Sequence, residues 1–226
     1  MRHFFSAMPE RYLHGLSLHD AASEDIAVTR ERLKERFPRG ATRRMTQLGL
    51  LIGAALDELQ PRADDAIVYA SAYGESRALE GYLESFPTAS PTLFQTSIHP
   101  SAVQQALIAR QHPVREYLPL TGRAHLVAHA LQAAVLSPAP RVLFCGGEER
   151  GTWLLDHGVA SDRSFAFAVA LAVEPRDALA RVAITPAPED APPVACGLPD
   201  WFAALTGRRP LDVVAAPGVR VQLAWL

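Results

Sequence analysis

The length, composition and charge of the chain indicate an ordinary globular protein. Its 226 residues are 49% hydrophobic and 20% charged, enough to bury one substantial core, so we expect a single domain over residues 1–226. A net charge of −2, with no basic cluster standing apart from acids, argues against nucleic acid as a partner. No apolar run reaches the roughly 20 residues of a membrane span, and residues 1–10 lack the pattern of a secretory signal, which predicts a cytoplasmic protein. Cys145 and Cys196 lie far apart, so neither a disulfide framework nor a cysteine-rich metal site is expected.

Helices and strands alternate along the chain. Apolar residues from Met45 to Leu59 recur at intervals of three and four, which places them on one stripe of a helix. The short β-branched run 66–70 then predicts a strand. The predicted elements, in chain order, are a helix over 43–59, a strand over 66–70, a loop over 71–75, a helix ending at Leu83, a turn over 87–91, a helix over 97–109, a strand over 114–120, a helix over 124–136, strands over 141–145 and 165–173, a linker over 186–193, a short helix over 201–205 and a terminal strand over 219–225. This alternation predicts an α/β layered sandwich.

The strand predicted over 165–173 alternates large and small side chains. One face would carry bulky residues such as Phe165 and Phe167, and the other only alanines. Because both faces are apolar, we expect this strand to be buried, with its flat alanine face packed closely under a helix.

Four segments together resemble a known superfamily. They are Phe94–Pro100 (FQTSIHP), Leu118–Ala124 (LPLTGRA), Leu143–Glu149 (LFCGGEE) and Phe167–Val173. Their order and spacing resemble the amino-terminal half of β-ketoacyl synthases, which implies a thiolase-like α/β fold over about residues 43–174, with a divergent tail over 186–226. Within that superfamily the chain is most similar to the short ketosynthase-like proteins called chain length factors of bacterial aryl polyene and related pigment clusters, which pair with a complete, catalytic ketosynthase.

The resemblance directs attention to the turn between the strand 114–120 and the helix 124–136. A ketosynthase places a cysteine nucleophile at this turn, where the amino end of the helix favours its thiolate. Here the turn reads Thr121, Gly122 and Arg123, none of which is a sulfur nucleophile. The two histidines that the family takes from the second half of its fold are also missing, since the last histidine is His157. The resemblance therefore implies a degenerate elbow with no catalytic residue, no cofactor and no metal.

The resemblance also implies partners and positions that act without covalent chemistry. The partners would be a catalytic ketosynthase, in a heterodimer, and an acyl carrier protein. Tyr73, Leu93 and Phe94 fall where the family places residues of the acyl tunnel, so their bulk would limit chain length. The strand before the elbow would lie at the subunit interface through four residues, Val114, Tyr117, Leu118 and Leu120. Arg123 would face a partner, or simply water.

Two alternatives remain open from the residues. The chain could be an independent acyltransferase or thioesterase that uses Cys145 or Ser71 with His99 or His125, or a stand-alone module that binds acyl carrier protein. Cys145 ends an apolar strand, where a cysteine usually serves as a small buried hydrophobe, and Ser71 lacks the Gly-x-Ser-x-Gly pattern of a hydrolase elbow. His125 and His129 are four apart on one helix, as metal ligands can be, but helix packing explains them better because no third ligand presents itself.

Overall fold

An eight-stranded mixed sheet forms the framework of the computed structural model, which describes residues 10–188 and 190–226. Its strands are β1 (Glu10–Ala22), β2 (Ala66–Ser71), β3 (Glu116–Thr121), β4 (Arg141–Glu148), β5 (Ser164–Ala172), β6 (Ala180–Pro186), β7 (Leu211–Ala216) and β8 (Val219–Trp225). They lie in the order β3-β2-β4-β5-β1-β6-β8-β7. Within the described ranges, β2 pairs in parallel with β3 and β4, and every other pairing is antiparallel.

Helices cover both faces of this sheet. They are α1 (Ile26–Leu33), α2 (Gln47–Leu59), α3 (Ser76–Glu84), α4 (Pro91–Ser97), α5 (Ser101–Arg110), α6 (Leu126–Leu136), α7 (Trp153–Asp156) and α8 (Leu198–Thr206). On one face, α2 and α5 enclose a core around Leu51 and Tyr69. On the other, α6 and α8 enclose a core around Phe144 and Trp201. None of these helices is long and apolar enough to cross a membrane, within the part of the chain that the structure describes.

Strand β5 has the two-faced packing that its alternating pattern predicts. Ala166 and Ala168 belong to the core under α2, whereas Phe165 and Phe167 belong to the core under α6 and α8. All four residues are fully buried. The small alanine face lets α2 approach the sheet closely, and the phenylalanines fill the space on the opposite side.

Two glycines near the end of β4 allow the backbones of the neighbouring strands to approach closely. From its position alone, the pair Gly146 and Gly147 suggested a tight strand exit with positive φ, but neither has a positive φ and both lie inside β4. A side chain at Gly146 would meet the carbonyl of Ala70, and one at Gly147 would meet the carbonyl of Phe165. The glycines are required because the neighbouring backbones leave no room for a Cβ atom.

Several predicted boundaries differ from the structure. The helix expected over 97–109 begins four residues later, as α5, and the separate helix α4 that precedes it was not predicted. The predicted tail over 186–226 is continuous with the main fold, since β8 and β7 extend the same sheet and α8 packs on the core. Part of the predicted linker, residue Glu189, lies outside the described residues.

Strand β1, which no sequence pattern indicated, lies between β5 and β6 near the middle of the sheet. Its Arg11 is only 2% exposed. The guanidinium of Arg11 donates hydrogen bonds to backbone carbonyls at and beyond the carboxyl end of α6, those of Val135, Ser137, Ala139 and Pro140. A cation at a helix carboxyl terminus satisfies carbonyls that lack a partner within the helix, so β1 fixes the end of α6.

Candidate functional site

The elbow, residues Thr121–His125, connects β3 to α6 at the carboxyl ends of the parallel strands. Helix α6 begins at Leu126, two residues later than predicted, and His125 is its N-cap residue. His125 has φ 58° and ψ 16°, and Gly122 has φ 144°. A left-handed non-glycine residue is held only where surrounding contacts enforce it. The sharp turn of an elbow is therefore present although no nucleophile occupies it.

His125 is tied to the carboxyl-terminal part of the chain. Its Nδ1 atom lies 2.9 Å from the carbonyl oxygen of Ala215 in β7. Its ring centroid is 6.2 Å from that of His129, in an edge-on arrangement. The described residues contain no group of three or more histidine, cysteine or acidic side chains that could hold a metal ion. The contact with Ala215 thus explains how the strained N-cap is stabilised.

Arg123 contacts a residue that was predicted to line the acyl tunnel. Arg123 lies two residues before the N-cap residue His125, so it is outside the first turn of α6. Its guanidinium carbon instead lies 5.5 Å from the centre of the Tyr73 ring, a cation–π distance. The elbow and the loop after β2 are connected through this contact.

Glu148, at the end of β4, holds the loop after β2 in place. Its Oε1 accepts a hydrogen bond from the Ala72 N–H at 2.7 Å, and its Oε2 accepts from the Tyr73 N–H at 3.2 Å and the Ser71 hydroxyl at 3.1 Å. The side chain is nearly completely buried. Burial raises the pKa of Glu148 to about 7, although the three donors favour the ionised form. Glu148 therefore fixes the backbone that carries Tyr73.

Glu149 joins the amino ends of two helices. Its Oε1 accepts from the backbone N–H groups of Gln47 at 2.9 Å and Leu48 at 3.4 Å, at the start of α2, and its Oε2 accepts from Arg77 N–H at 3.2 Å, in α3. These donors have no partner within their helices. Burial raises the pKa of Glu149 to about 7 against the effect of the same hydrogen bonds.

Glu75 performs the same role for α5 and lies next to His99. Its Oε1 accepts from the Ala102 N–H at 2.6 Å and from the Ser101 hydroxyl at 3.2 Å. Its Oε2 is 3.9 Å from His99 Nδ1, and the His99 ring stacks on Tyr69 with 5.0 Å between centroids. Burial raises the pKa of Glu75 to about 7 and lowers that of His99, so burial favours the neutral form of both groups.

These three buried glutamates were missed by the sequence reasoning. The sequence feature that could have indicated them is the pair Glu148 and Glu149, which follows an apolar run. A carboxylate buried at such a position requires hydrogen-bond donors, or its ionised form is disfavoured. Their partners, however, are backbone groups far away in sequence. Together the glutamates organise the helix ends around the elbow.

The proposed nucleophiles of the enzymatic alternative are engaged or inaccessible. Cys145 is fully buried, and burial raises the pKa of its thiol far above the ordinary value, so its thiolate is strongly disfavoured. Ser71 is also fully buried. Its Oγ donates to Glu148 and accepts from the Gly74 N–H at 2.8 Å. Neither has a histidine as hydrogen-bond partner in the described part of the chain, so the pairs with His99 or His125 that the alternative requires are not assembled.

The three predicted tunnel residues lie in separate surroundings. Leu93 lines a pocket of about 300 Å³, and Tyr73 is not among the residues that line it. Phe94 is 49% exposed, and its ring lies 5.3 Å from that of Tyr82. Leu93 therefore lines a pocket to which neither Tyr73 nor Phe94 contributes.

The predicted interface residues lie on or next to an open sheet edge. Strand β3 is the last strand on its side of the sheet. Tyr117, Leu118 and Leu120 are half-buried in it, and Val114 just precedes it. The Tyr117 hydroxyl donates to the Pro100 carbonyl at 3.3 Å, which links β3 to the start of α5. An open edge leaves backbone hydrogen-bonding groups available to another strand.

No protein-family model and no curated protein matches the chain. Solved structures do match its fold. A chain of the complex between the ketosynthase ApeO and its chain length factor ApeC from Xenorhabdus doucetiae matches with a TM-score of 0.67 at 18% identity, over 95% of this chain and 98% of that one. The protein has a ketosynthase-like fold.

A second ketosynthase-like structure agrees. A chain of the ishigamide ketosynthase/chain length factor matches with a TM-score of 0.53 at 14% identity, over 80% of this chain and 68% of that one. The coverage of the ApeO–ApeC chain also means that the two chains have nearly the same length. These matches confirm the thiolase-like α/β fold that was expected from the sequence.

Proposed function

We propose that the protein is a non-catalytic ketosynthase-like subunit, a chain length factor, that pairs with a catalytic β-ketoacyl synthase and helps to shape the acyl tunnel. The pathway would be bacterial aryl polyene, polyketide or fatty-acid-like biosynthesis on an acyl carrier protein, in the cytoplasm. The observation that carries this proposal is an elbow that keeps its strained geometry at His125 but offers no thiol at Thr121, Gly122 or Arg123. The shared fold with chains of two ketosynthase/chain length factor structures supports it.

The surface next to β3 supports a protein partner. Four large apolar side chains between the end of α3 and the start of α5, which we call the apolar plate, are each between 41% and 54% exposed; they are Leu83, Phe86, Phe94 and Ile98. Contiguous exposed apolar residues of this kind are typical of protein–protein interfaces. The hydrogen bond from Tyr117 to Pro100 connects β3 to the segment that directly follows Ile98 of the plate. A ketosynthase could thus add a strand to β3 and cover the plate.

The tunnel would then be completed by the partner. Phe94 belongs to the plate, so a subunit covering the plate would bury its ring. Tyr73 is fixed through its backbone by Glu148 and through its ring by Arg123. Burial of one more methylene gains only about 0.8 kcal/mol, so attraction distinguishes weakly between acyl chains that differ by one methylene. Rigid bulky side chains at a tunnel end exclude the longer chain sterically and therefore discriminate chain length more sharply.

Co-expression with the ketosynthase encoded next to the gene tests this proposal. We expect the two chains to purify together and the product lengths to change when this subunit is omitted. A monodisperse monomer that leaves the product distribution of the ketosynthase unchanged would refute it, as would an acyl adduct on Cys145 after incubation with acyl thioesters.

Matched variants locate the interface. The double variant Phe86→Asp with Phe94→Asp introduces charges into the apolar plate and should abolish co-purification. Val28→Asp is the control, because Val28 is 54% exposed, as Phe86 is, but lies on α1. Equal loss of the partner in both proteins would show that the plate is not the interface.

A further inference from the structure

A pocket of about 300 Å³ opens between the segment before α2 and the helices α3 and α4. Its walls combine apolar side chains with cations. Met45 and Leu93 provide apolar surface, while Arg43, Arg44 and Arg77 carry positive charge. A pocket of this size with an apolar wall and a few charged groups suits a small molecule.

The three arginines differ in how their charge is balanced. Arg77 Nη1 lies 2.9 Å from Glu80 and 2.8 Å from the Thr152 hydroxyl. Arg43 and Arg44 are exposed, and in the ranges 10–188 and 190–226 no acidic side chain forms an ion pair with either. The pocket therefore has two guanidinium groups whose charge is not balanced by the protein.

The one acid in the pocket wall does not supply that balance. Glu149 directs both carboxylate oxygens at backbone N–H groups at the ends of α2 and α3. It is fully buried, and its negative charge is met by those helix ends. An anion in the pocket would thus face the arginines and not an exposed carboxylate.

We propose that this pocket binds a small organic anion, with a phosphate or carboxylate head held by Arg43 and Arg44 and an apolar body packed against Met45 and Leu93. Guanidinium groups present paired N–H donors that fit both kinds of head group. The apolar wall requires a body that gains from leaving water. The site shares Leu93 with the predicted acyl tunnel, but all the residues proposed to hold the anion belong to this chain, so binding does not require the proposed ketosynthase partner.

Isothermal titration calorimetry of the full chain tests the pocket with four probes: hexyl phosphate, hexanoate, hexanol and inorganic phosphate. We expect at least one of the two amphiphilic anions to bind with a Kd below about 1 mM, and at least about tenfold more tightly than hexanol and inorganic phosphate. A preference for hexyl phosphate identifies a phosphate site, and a preference for hexanoate a carboxylate site. Equal binding of hexanol and the anions overturns the proposal, as does a failure of both hexyl anions to bind.

Variants separate the head group from the body. Arg43→Ala with Arg44→Ala should weaken binding of the preferred anion at least about tenfold, and the two Lys substitutions should restore only part of it because lysine lacks the paired donors. Leu93→Ser should weaken the hexyl anion and leave inorganic phosphate unaffected.

Arg176→Ala is the control, since this exposed arginine follows β5 at the end of the sheet opposite Glu148. An equal loss in this control overturns the proposal. If the protein binds the probes but no ketosynthase, the anion site is supported and only the proposed function is contradicted.

Discussion

Replacement of Glu149 is the sharpest test of how the helix ends around the elbow are held. Glu149→Ala removes the acceptor of three backbone N–H groups, the buried ones of Gln47 and Leu48 and the partly buried one of Arg77. Each unsatisfied buried donor costs about 1–3 kcal/mol. We therefore expect the free energy of unfolding to fall by about 3 kcal/mol or more. Glu149→Gln keeps the shape and one acceptor oxygen, so its loss should be smaller, about 1–2 kcal/mol near neutral pH.

The pH dependence of the free energy of unfolding provides a second test of Glu149. Burial raises the pKa of folded Glu149 to about 7 from its ordinary value of 4.5. The folded protein thus binds more protons than the unfolded chain between these values, so stability falls as pH rises through this window and is lowest above it. For one such carboxyl the change is about 3 kcal/mol. Because Gln does not titrate, the advantage of the wild type over Glu149→Gln should be larger near pH 5 than near pH 8.

Urea unfolding followed by tryptophan fluorescence, repeated across this pH range, measures both effects. Glu31→Gln is the matched control, because Glu31 is 72% exposed in its side chain and its pair with Lys34 contributes at most about 1 kcal/mol. The reasoning fails if Glu149→Ala is no less stable than Glu31→Gln. It also fails if Glu149→Gln keeps the full pH dependence of the wild type and Glu75 and Glu148 do not account for it.

Three further substitutions or treatments have distinct outcomes. Arg123→Ala should change the free energy of unfolding by less than about 1 kcal/mol. Through the contact of Arg123 with Tyr73, it should nevertheless shift the product lengths made by the protein together with its ketosynthase. An unchanged product distribution would show that the contact between Arg123 and Tyr73 has no role in chain length. Gly147→Ala should destabilise by about 1–3 kcal/mol or more because the added Cβ meets a backbone carbonyl, whereas Gly81→Ala, with its nearest contact at 4.0 Å, should be neutral or stabilising in the same urea assay. Cys145 should resist iodoacetamide in the folded protein and react after unfolding, as followed by mass spectrometry, because its thiol is buried and its pKa raised; rapid labelling of the folded protein would reopen the enzymatic alternative.

Local pattern predicted the elements that have one apolar stripe or two apolar faces. Helix α2 and strand β5 were found close to their predicted positions. Strand β1 was not predicted because its buried residues include Arg11 and Ser17, which a hydrophobic pattern counts as exposed. Those polar groups are buried at low cost only because distant partners satisfy them, Ser17 through its hydroxyl bond to Glu58 at 2.6 Å.

The sequence by itself predicted an α/β fold, and its resemblance to ketosynthases implied an elbow whose residues include no thiol. That information is local, since it depends on residue identity and on periodicity along one element. Only the tertiary structure decided that Arg123 lies over Tyr73, that His125 is the strained N-cap residue, and that Glu75, Glu148 and Glu149 hold the surrounding loops and helix ends. These contacts join residues 27 to 102 positions apart, and hydrogen bonds to backbone groups leave no periodic signal in the sequence, so they become visible only when the chain is folded.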